Sequence, residues 1–194
     1  MVDTFDTLEA NIKDKFLKNE PGHTTNDHVG ACALAAVIAN DYYVVANTGD
    51  CQAVVVYTND QGTLIGENVA PIHSANLKEE QEKLRREHPG ENDIVICANA
   101  NACYVKGRLM PSRSFADFHL KDEKFNKPIY SAYGMEAPAI SVFTGPYITH
   151  SPDIVVRDIR PNDKYLILAT DGLWDEMSEQ KAAEIVAENE ENPT

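Results

Sequence analysis

With 194 residues, 43% of them hydrophobic, the chain is long enough to bury a core and short enough for one domain or part of a larger one. Its 17 Lys and Arg against 31 Asp and Glu leave a formal charge of -14, a field that repels nucleic acid and anionic membrane and favours basic surfaces or divalent cations. No apolar run is long enough to span a bilayer. The first stretch carries Asp3, Asp6 and Glu9 without a basic leader, which points to an intracellular protein.

Phe5, Leu8, Ile12 and Phe16 recur at spacings of three and four, which predicts a helix over 3–19 that needs a surface to dock on. Residues 20–27 are rich in Pro, Gly, Thr, Asn and Asp and read as a loop. Three strands follow, over 30–39, 42–47 and 52–57, joined by Asn40-Asp41 and Thr48-Gly49-Asp50, with 59–62 closing the meander. Their near-continuous apolar character predicts cover on both faces. The small residues of the first strand predict close approach by a neighbouring element.

Residues 67–73 read as extended, and 76–88 as a charged helix anchored by Leu77 and Leu84 and ended by Pro89-Gly90. Its carboxylates form a solvated face. Residues 93–98 are a strand candidate. In 107–118 neither strand nor helix periodicity holds, and Arg108, Ser112, Arg113, Ser114 and Asp117 look like side chains that hold a network together. The stretch 121–146, punctuated by Pro and Gly, reads as a surface flap.

Strand-like 148–149 and 153–157 lead through the Pro161 turn into 165–169, a short apolar run that reads as a buried strand. Asp171-Gly172 then makes a tight turn that delivers Asp171 at the strand's carboxyl end. Ser178 is placed to cap a helix over 178–188, with Ala182, Ile185 and Val186 on its apolar face. The predicted organisation is a helix and linker over 1–29, a main domain over 30–188 and an acidic tail over 189–194.

Cys32 and Cys51 sit in apolar strands, and Cys97 and Cys103 have no close histidine pair, so all four are expected to be reduced structural thiols and not zinc ligands. His23 and His28 lack the helical spacing of a metalloprotease motif.

Several segments together resemble one family. They are Gly-Ala-Cys-Ala at 30–33, Val-Val-Ala-Asn-Thr-Gly-Asp-Cys at 44–51, the helix and Pro-Gly at 77–90, Gly-Arg-Leu-Met-Pro-Ser-Arg-Ser-Phe-Ala-Asp at 107–117, 144–154, and Leu-Ala-Thr-Asp-Gly-Leu-Trp-Asp at 168–175. In this order they are similar to the PPM-type metal-dependent serine/threonine phosphatases, within them the pyruvate dehydrogenase phosphatase-like branch. The resemblance implies an α+β fold, an incomplete α-β-β-α sandwich of antiparallel or mixed sheets flanked by helices. It also implies hydrolysis of phosphoserine and phosphothreonine at a binuclear Mg or Mn centre held by carboxylates.

By the same resemblance Asp171 matches a metal-ligand aspartate, Asp117 and Asp50 match aspartates of two further motifs, and Gly172 and Trp174 match structural positions. The departures are specific. Gly22-His23 lacks the Asp and the glycine pair of the family's Asp-Gly-His-Gly-Gly motif, and the late Asp-Asn motif is not found. Ala116 stands where a glycine is usual and Cys51 where a serine is usual. Two adjacent divalent cations need several hard oxygen ligands, so no catalytic residue and no cofactor are expected. Asp171 is a residual metal ligand, Asp117 a weaker candidate, and Mg or Mn enters only if a site persists.

The expected function is a catalytically inactive phosphatase-like (pseudophosphatase) scaffold subunit. Such a chain requires a protein partner or assembly that covers exposed sheet edges, with no nucleic acid and no membrane insertion. Its expected location is cytoplasmic or within a cytoskeletal or organellar assembly, and the branch resemblance implies the mitochondrion. One alternative is an active Mg/Mn-dependent protein serine/threonine phosphatase completed by ligands supplied elsewhere. Another is a phosphopeptide-binding module in which Arg108 and Arg113 contact phosphate. In the simpler view those two arginines form salt bridges with Asp117 or Asp50, and Trp174 is a packing anchor.

Overall fold

The computed structural model describes residues 1–18, 29–130 and 136–190. The linker expected at 20–27, with His23 and His28, lies outside the described residues, as do the last four residues of the tail. In chain order the elements are helix α1 (Val2–Lys18), strands β1 (Gly30–Ala31), β2 (Ala33–Ile38), β3 (Tyr42–Thr48), β4 (Gln52–Thr58) and β5 (Leu64–Asn68), and helix α2 (Lys78–Glu87). Then come β6 (Val95–Asn99), β7 (Ala102–Val105), β8 (Phe115–Ala116), two 3-10 turns (Phe118–Leu120 and Glu123–Phe125), β9 (Ile129–Tyr130) and β10 (Glu136–Ala137). The last elements are β11 (Asp153–Asp158), β12 (Asp163–Ala169), α3 (Asp171–Trp174) and α4 (Glu179–Glu188). No helix among the described residues is long and apolar enough to cross a membrane.

The chain divides into two compact units. The first comprises Met1–Ala33 and His73–Pro152. Its main core joins Ala75 and Leu84 to Ile94, Val105, Leu120, Tyr147 and Ile148. A satellite cluster of Ala116, Phe118 and Phe125 receives Ile12 and Phe16 of α1. Phe16 meets Phe118 edge-on at 5.5 Å, and Phe5 stacks on Phe115 at 5.2 Å. The docking face of α1 therefore differs from the predicted one. Leu8 is exposed, and its place beside Phe5, Ile12 and Phe16 is taken by buried Glu9.

In the same unit Cys97 and Cys103 form a disulfide, correcting the expectation that both are reduced thiols. The physical reason is register. The β6–β7 hairpin sets the two residues directly opposite one another, a pairing that their separation in sequence does not announce. Cys32 and Cys51 form no disulfide among the described residues.

The second unit comprises Leu34–Ile72 and Asp153–Thr194 and holds a two-sheet sandwich. One sheet has the order β11-β3-β2 and the other β12-β4-β5. The β11–β3, β12–β4 and β4–β5 pairs are antiparallel. Tyr43, Val45, Ala53, Val55, Val69 and Ala70 fill the space between them, with Leu34, Ala36 and Leu166 packed against that cluster. These are alternate residues of each strand, as a pleated sheet requires. Helix α4 flanks the second sheet. Ser178 Oγ accepts from Lys181 N–H at 3.3 Å, which is the predicted cap. The Gln180 side chain accepts from Gly66 N–H at 3.1 Å and donates to Leu64 O at 3.0 Å.

Two sequence readings of this unit are corrected. Cover on both faces holds for β4 but fails for β2, where Val37 and Ile38 are 51% and 67% exposed. The apolar run 30–39 is also two strands and not one. Gly30–Ala31 belongs to the first unit, where it pairs with Phe115–Ala116, a partner far away in sequence.

Candidate functional site

Each expected aspartate has a distinct setting. Asp117 belongs to the first unit and is 3% exposed. β1 pairs Gly30 with Ala116 and Ala31 with Phe115, and the chain then passes through two consecutive left-handed residues, Ala116 (φ 54°) and Asp117 (φ 45°). Outside glycine such a conformation costs roughly 1–2 kcal/mol per residue, so the pair persists only because its surroundings hold it.

Those surroundings form one network. Glu9 Oε2 accepts from Ala116 N–H at 2.9 Å, and Glu9 Oε1 accepts from Lys121 Nζ at 2.6 Å. Lys121 also donates to Ser114 O at 2.6 Å, and Ser114 Oγ donates to Asp117 Oδ2 at 2.7 Å. Burial pushes the Asp117 carboxyl up to about 6, against the Ser114 hydrogen bond and the Lys121 charge, which pull it down. Gly30 is required by contact. A Cβ built there would stand 1.9 Å from Asp117 Oδ2 and 2.5 Å from Phe115 O.

Beside this network is a cleft of about 410 Å³ lined by Asp6, Glu9, Lys13, Phe118, Lys121 and His150 among others. Its charges are already paired internally. His150 Nε2 lies 2.9 Å from Asp6 Oδ1, and Lys13 Nζ lies 2.7 Å from Asp122 Oδ2. Sequence reading missed Glu9, Lys121 and His150. For Glu9 a signal was present, since a carboxylate stands inside the apolar stripe of an amphipathic helix.

In the second unit Asp50 is half-buried in the turn between β3 and β4. That turn is held by Asn47, whose Nδ2 donates to Gly49 O at 3.2 Å, Cys51 O at 2.9 Å and Pro71 O at 2.8 Å. Asp171 is exposed at the start of α3, and its Oδ1 accepts from Gly172 N–H at 2.8 Å. The predicted tight turn is thus a single helical turn. Trp174 Nε1 donates to Ala169 O at 3.0 Å and anchors that turn to the end of β12.

Arg108 corrects another expectation. Arg108 donates to Pro138 O and pairs with no carboxylate among the described residues; burial lowers its pKa. Arg113 Nη1 donates to Ser151 O at 2.8 Å, and its backbone bridges Thr149. A backbone carbonyl in the stretch after β10 takes the Arg108 guanidinium that sequence reading assigned to an aspartate.

An α+β architecture built on a two-sheet antiparallel sandwich with a flanking helix defines a phosphatase 2C-like fold. The chain belongs to the protein phosphatase 2C family: the family model described as "Protein phosphatase 2C" matches residues 2–194. It is 35% identical over 166 residues to "Probable protein phosphatase 2C 46" of Arabidopsis thaliana, covering 84% of this chain and 42% of that protein. It is 34% identical over 166 residues to "Probable protein phosphatase 2C 28" of Oryza sativa subsp. japonica, covering 84% and 40%. The chain therefore spans about two-fifths of the length of these curated relatives.

Among solved structures the fold resembles a sex determining protein of C. elegans, with a TM-score of 0.68 at 16% identity over 99% of this chain and 38% of that one. It also resembles serine-threonine phosphatase 2C from Toxoplasma gondii, with a TM-score of 0.58 at 20% identity over 97% and 54%.

The family implies a binuclear Mg or Mn centre, and the residues described do not fit one. No three His, Cys, Asp or Glu side chains come together among the described residues. The carboxylate of Asp117 faces inward to Ser114. Among the described residues of the second unit, the buried side-chain oxygens without a hydrogen-bond partner include Asn47 Oδ1 and Gln52 Oε1, both neutral. Two hard cations call for several charged oxygens converging on one point, and neither unit gathers such a set from its own described residues.

Proposed function

We propose that this chain is a phosphatase 2C-type domain of the pyruvate dehydrogenase phosphatase-like branch whose own residues do not assemble a hydrolytic metal centre, and that it serves as an interaction subunit in an intracellular protein assembly. The observation that carries this reading is the state of Asp117. A ligand for a cation must present its charge to solvent or metal, whereas this carboxylate is 3% exposed, packed against Gly30 and hydrogen-bonded by Ser114. The exposed apolar strands of the sandwich support a partner, because such surfaces are rarely left to water.

A second reading, an active phosphatase completed by ligands from outside this chain, is favoured by one observation: curated relatives that extend well beyond the matched segment are called probable phosphatases. The phosphopeptide-binding alternative is weakened because Arg108 and Arg113 already spend donors on Pro138 and Ser151 carbonyls.

The test is a turnover assay of the purified chain with Mn or Mg on a phosphothreonine peptide. The proposal predicts no release of phosphate above buffer. Turnover that disappears in Asp171→Asn would overturn it.

A further inference from the structure

The Cys97–Cys103 bridge joins two unlike sulfurs. Cys97 is exposed on β6, whereas Cys103 is 1% exposed and belongs to the main core of the first unit. The two are register partners in a hairpin whose ladder also pairs Val95 with Val105 and Ile96 with Tyr104. A disulfide stabilises chiefly by closing a loop in the unfolded chain, and the effect grows with loop length. With a sequence separation of 6, this bridge closes a short loop that the hairpin ladder closes as well. As a staple it adds little.

The surroundings of the two sulfurs suit exchange. Gln81 Nε2, on α2, donates to Ala75 O at 2.7 Å and stands 4.0 Å from Cys97 Sγ, where it favours a thiolate. Asn99 O stands 3.8 Å from Cys103 Sγ and is placed to accept from a Cys103 thiol. Asn76 Oδ1 accepts from Cys103 N–H at 2.8 Å, so β7 stays tied to the segment leading into α2 with or without the bridge. An exposed sulfur beside an amide donor, backed by a buried sulfur in bonding reach, has the layout of an exchanging and a resolving cysteine.

We propose that Cys97 and Cys103 form a reversible thiol–disulfide exchange site, in which Cys97 exchanges with dithiols and disulfides from outside and Cys103 resolves. In reduction, one thiolate of a dithiol reductant attacks Cys97 Sγ. The Cys97–Cys103 bond breaks, and its electron pair leaves on Cys103 Sγ, which takes up a proton. The second thiol of the reductant, deprotonated, then attacks its own sulfur in the mixed disulfide and releases Cys97. Two electrons and two protons pass to the pair, and the reductant departs as a disulfide. Oxidation runs the same steps backward. The inference goes beyond the interaction-subunit reading and does not rest on it.

The test uses the whole native chain without denaturant, followed by peptide mass mapping of alkylated thiols. Dithiothreitol should convert both cysteines to thiols, and glutathione disulfide should restore the bond. During reoxidation the glutathione adduct is expected on Cys97 at least about tenfold over Cys103. Cys103→Ser should accumulate that adduct on Cys97. If this core variant fails to fold, Cys97→Ser, altered only at the exposed position, should leave Cys103 without an adduct. Reduced thioredoxin and dithiothreitol are compared at equal concentration. Faster reduction by thioredoxin supports the site with a protein dithiol as its reductant, and slower or equal reduction supports it with a small dithiol.

A bond that yields only in denaturant, an adduct chiefly on Cys103, or a reduced chain that loses its circular dichroism spectrum would overturn the proposal, because the bridge would then be structural. So would thiols that never pair under glutathione disulfide. Metal-supported turnover of a phosphopeptide would sink the functional reading and leave the exchange data standing.

Discussion

Replacing Asp117 by Asn separates the shape of the buried network from its charge. The amide keeps an oxygen to accept from Ser114 Oγ, which donates to Asp117 Oδ2 at 2.7 Å, and removes the ionisation. In the folded chain the carboxyl titrates at about 6, raised from 3.8 mainly by burial. A rise of about two pH units is about 3 kcal/mol at 1.36 kcal/mol per unit, and with Asp117 only 3% exposed there is little solvent to screen it. The direction follows from linkage. A folded pKa above the unfolded value means that the folded chain holds the proton more tightly. The benefit is complete below pH 3.8 and is lost as pH rises through about 6.

Wild-type stability should therefore fall across that window by up to about 3 kcal/mol from this group, and the Asn variant should lack the fall. Urea unfolding of both chains from about pH 4 to about pH 8 measures the difference. The variant is expected to match wild type at the acid end and to exceed it at the neutral end. A variant less stable than wild type at neutral pH by more than about 1 kcal/mol would refute the reasoning, because the charge would then be contributing to the native state.

Gly30→Ala should destabilise by about 3 kcal/mol or prevent folding, because the new methyl enters the space of the Asp117 carboxyl. Adding Asp117→Ala should recover part of that loss, read as a non-additive double-mutant cycle in thermal unfolding. Glu9→Leu strands Lys121, whose side chain is 9% exposed, and should cost about 3 kcal/mol or more. Combining it with Lys121→Met should cost less than Glu9→Leu alone, by the same denaturation assay. Gly66→Ala should push α4 from β5 and cost about 1–3 kcal/mol, with hydrogen exchange of the α4 amides rising most.

Much of the second unit was legible because its signals are local. Asn40-Asp41 and Thr48-Gly49-Asp50 mark the turns between apolar strands, and Ser178 sits where a helix needs an oxygen acceptor. What was not legible depends on residues that meet from far along the chain. Gly30 reads as a small strand residue, and only its pairing with Ala116 reveals that it makes room for Asp117. Ala116 stood out as the residue in a glycine's place, but its left-handed backbone and the Glu9 carboxylate that supports it come from tertiary structure. The Cys97–Cys103 disulfide follows from hairpin register. Arg108 was misread for a related reason: a guanidinium is satisfied by carbonyls as readily as by carboxylates, and sequence does not order that choice.

The central claim is that the aspartates of this chain do not converge on metal. Electron paramagnetic resonance of Mn titrated into the purified chain addresses it directly, since bound Mn loses the six-line signal of the free ion. The account predicts a signal that follows total Mn, the same for wild type and Asp171→Asn. Saturable loss of signal in wild type, abolished by Asp171→Asn, would contradict it.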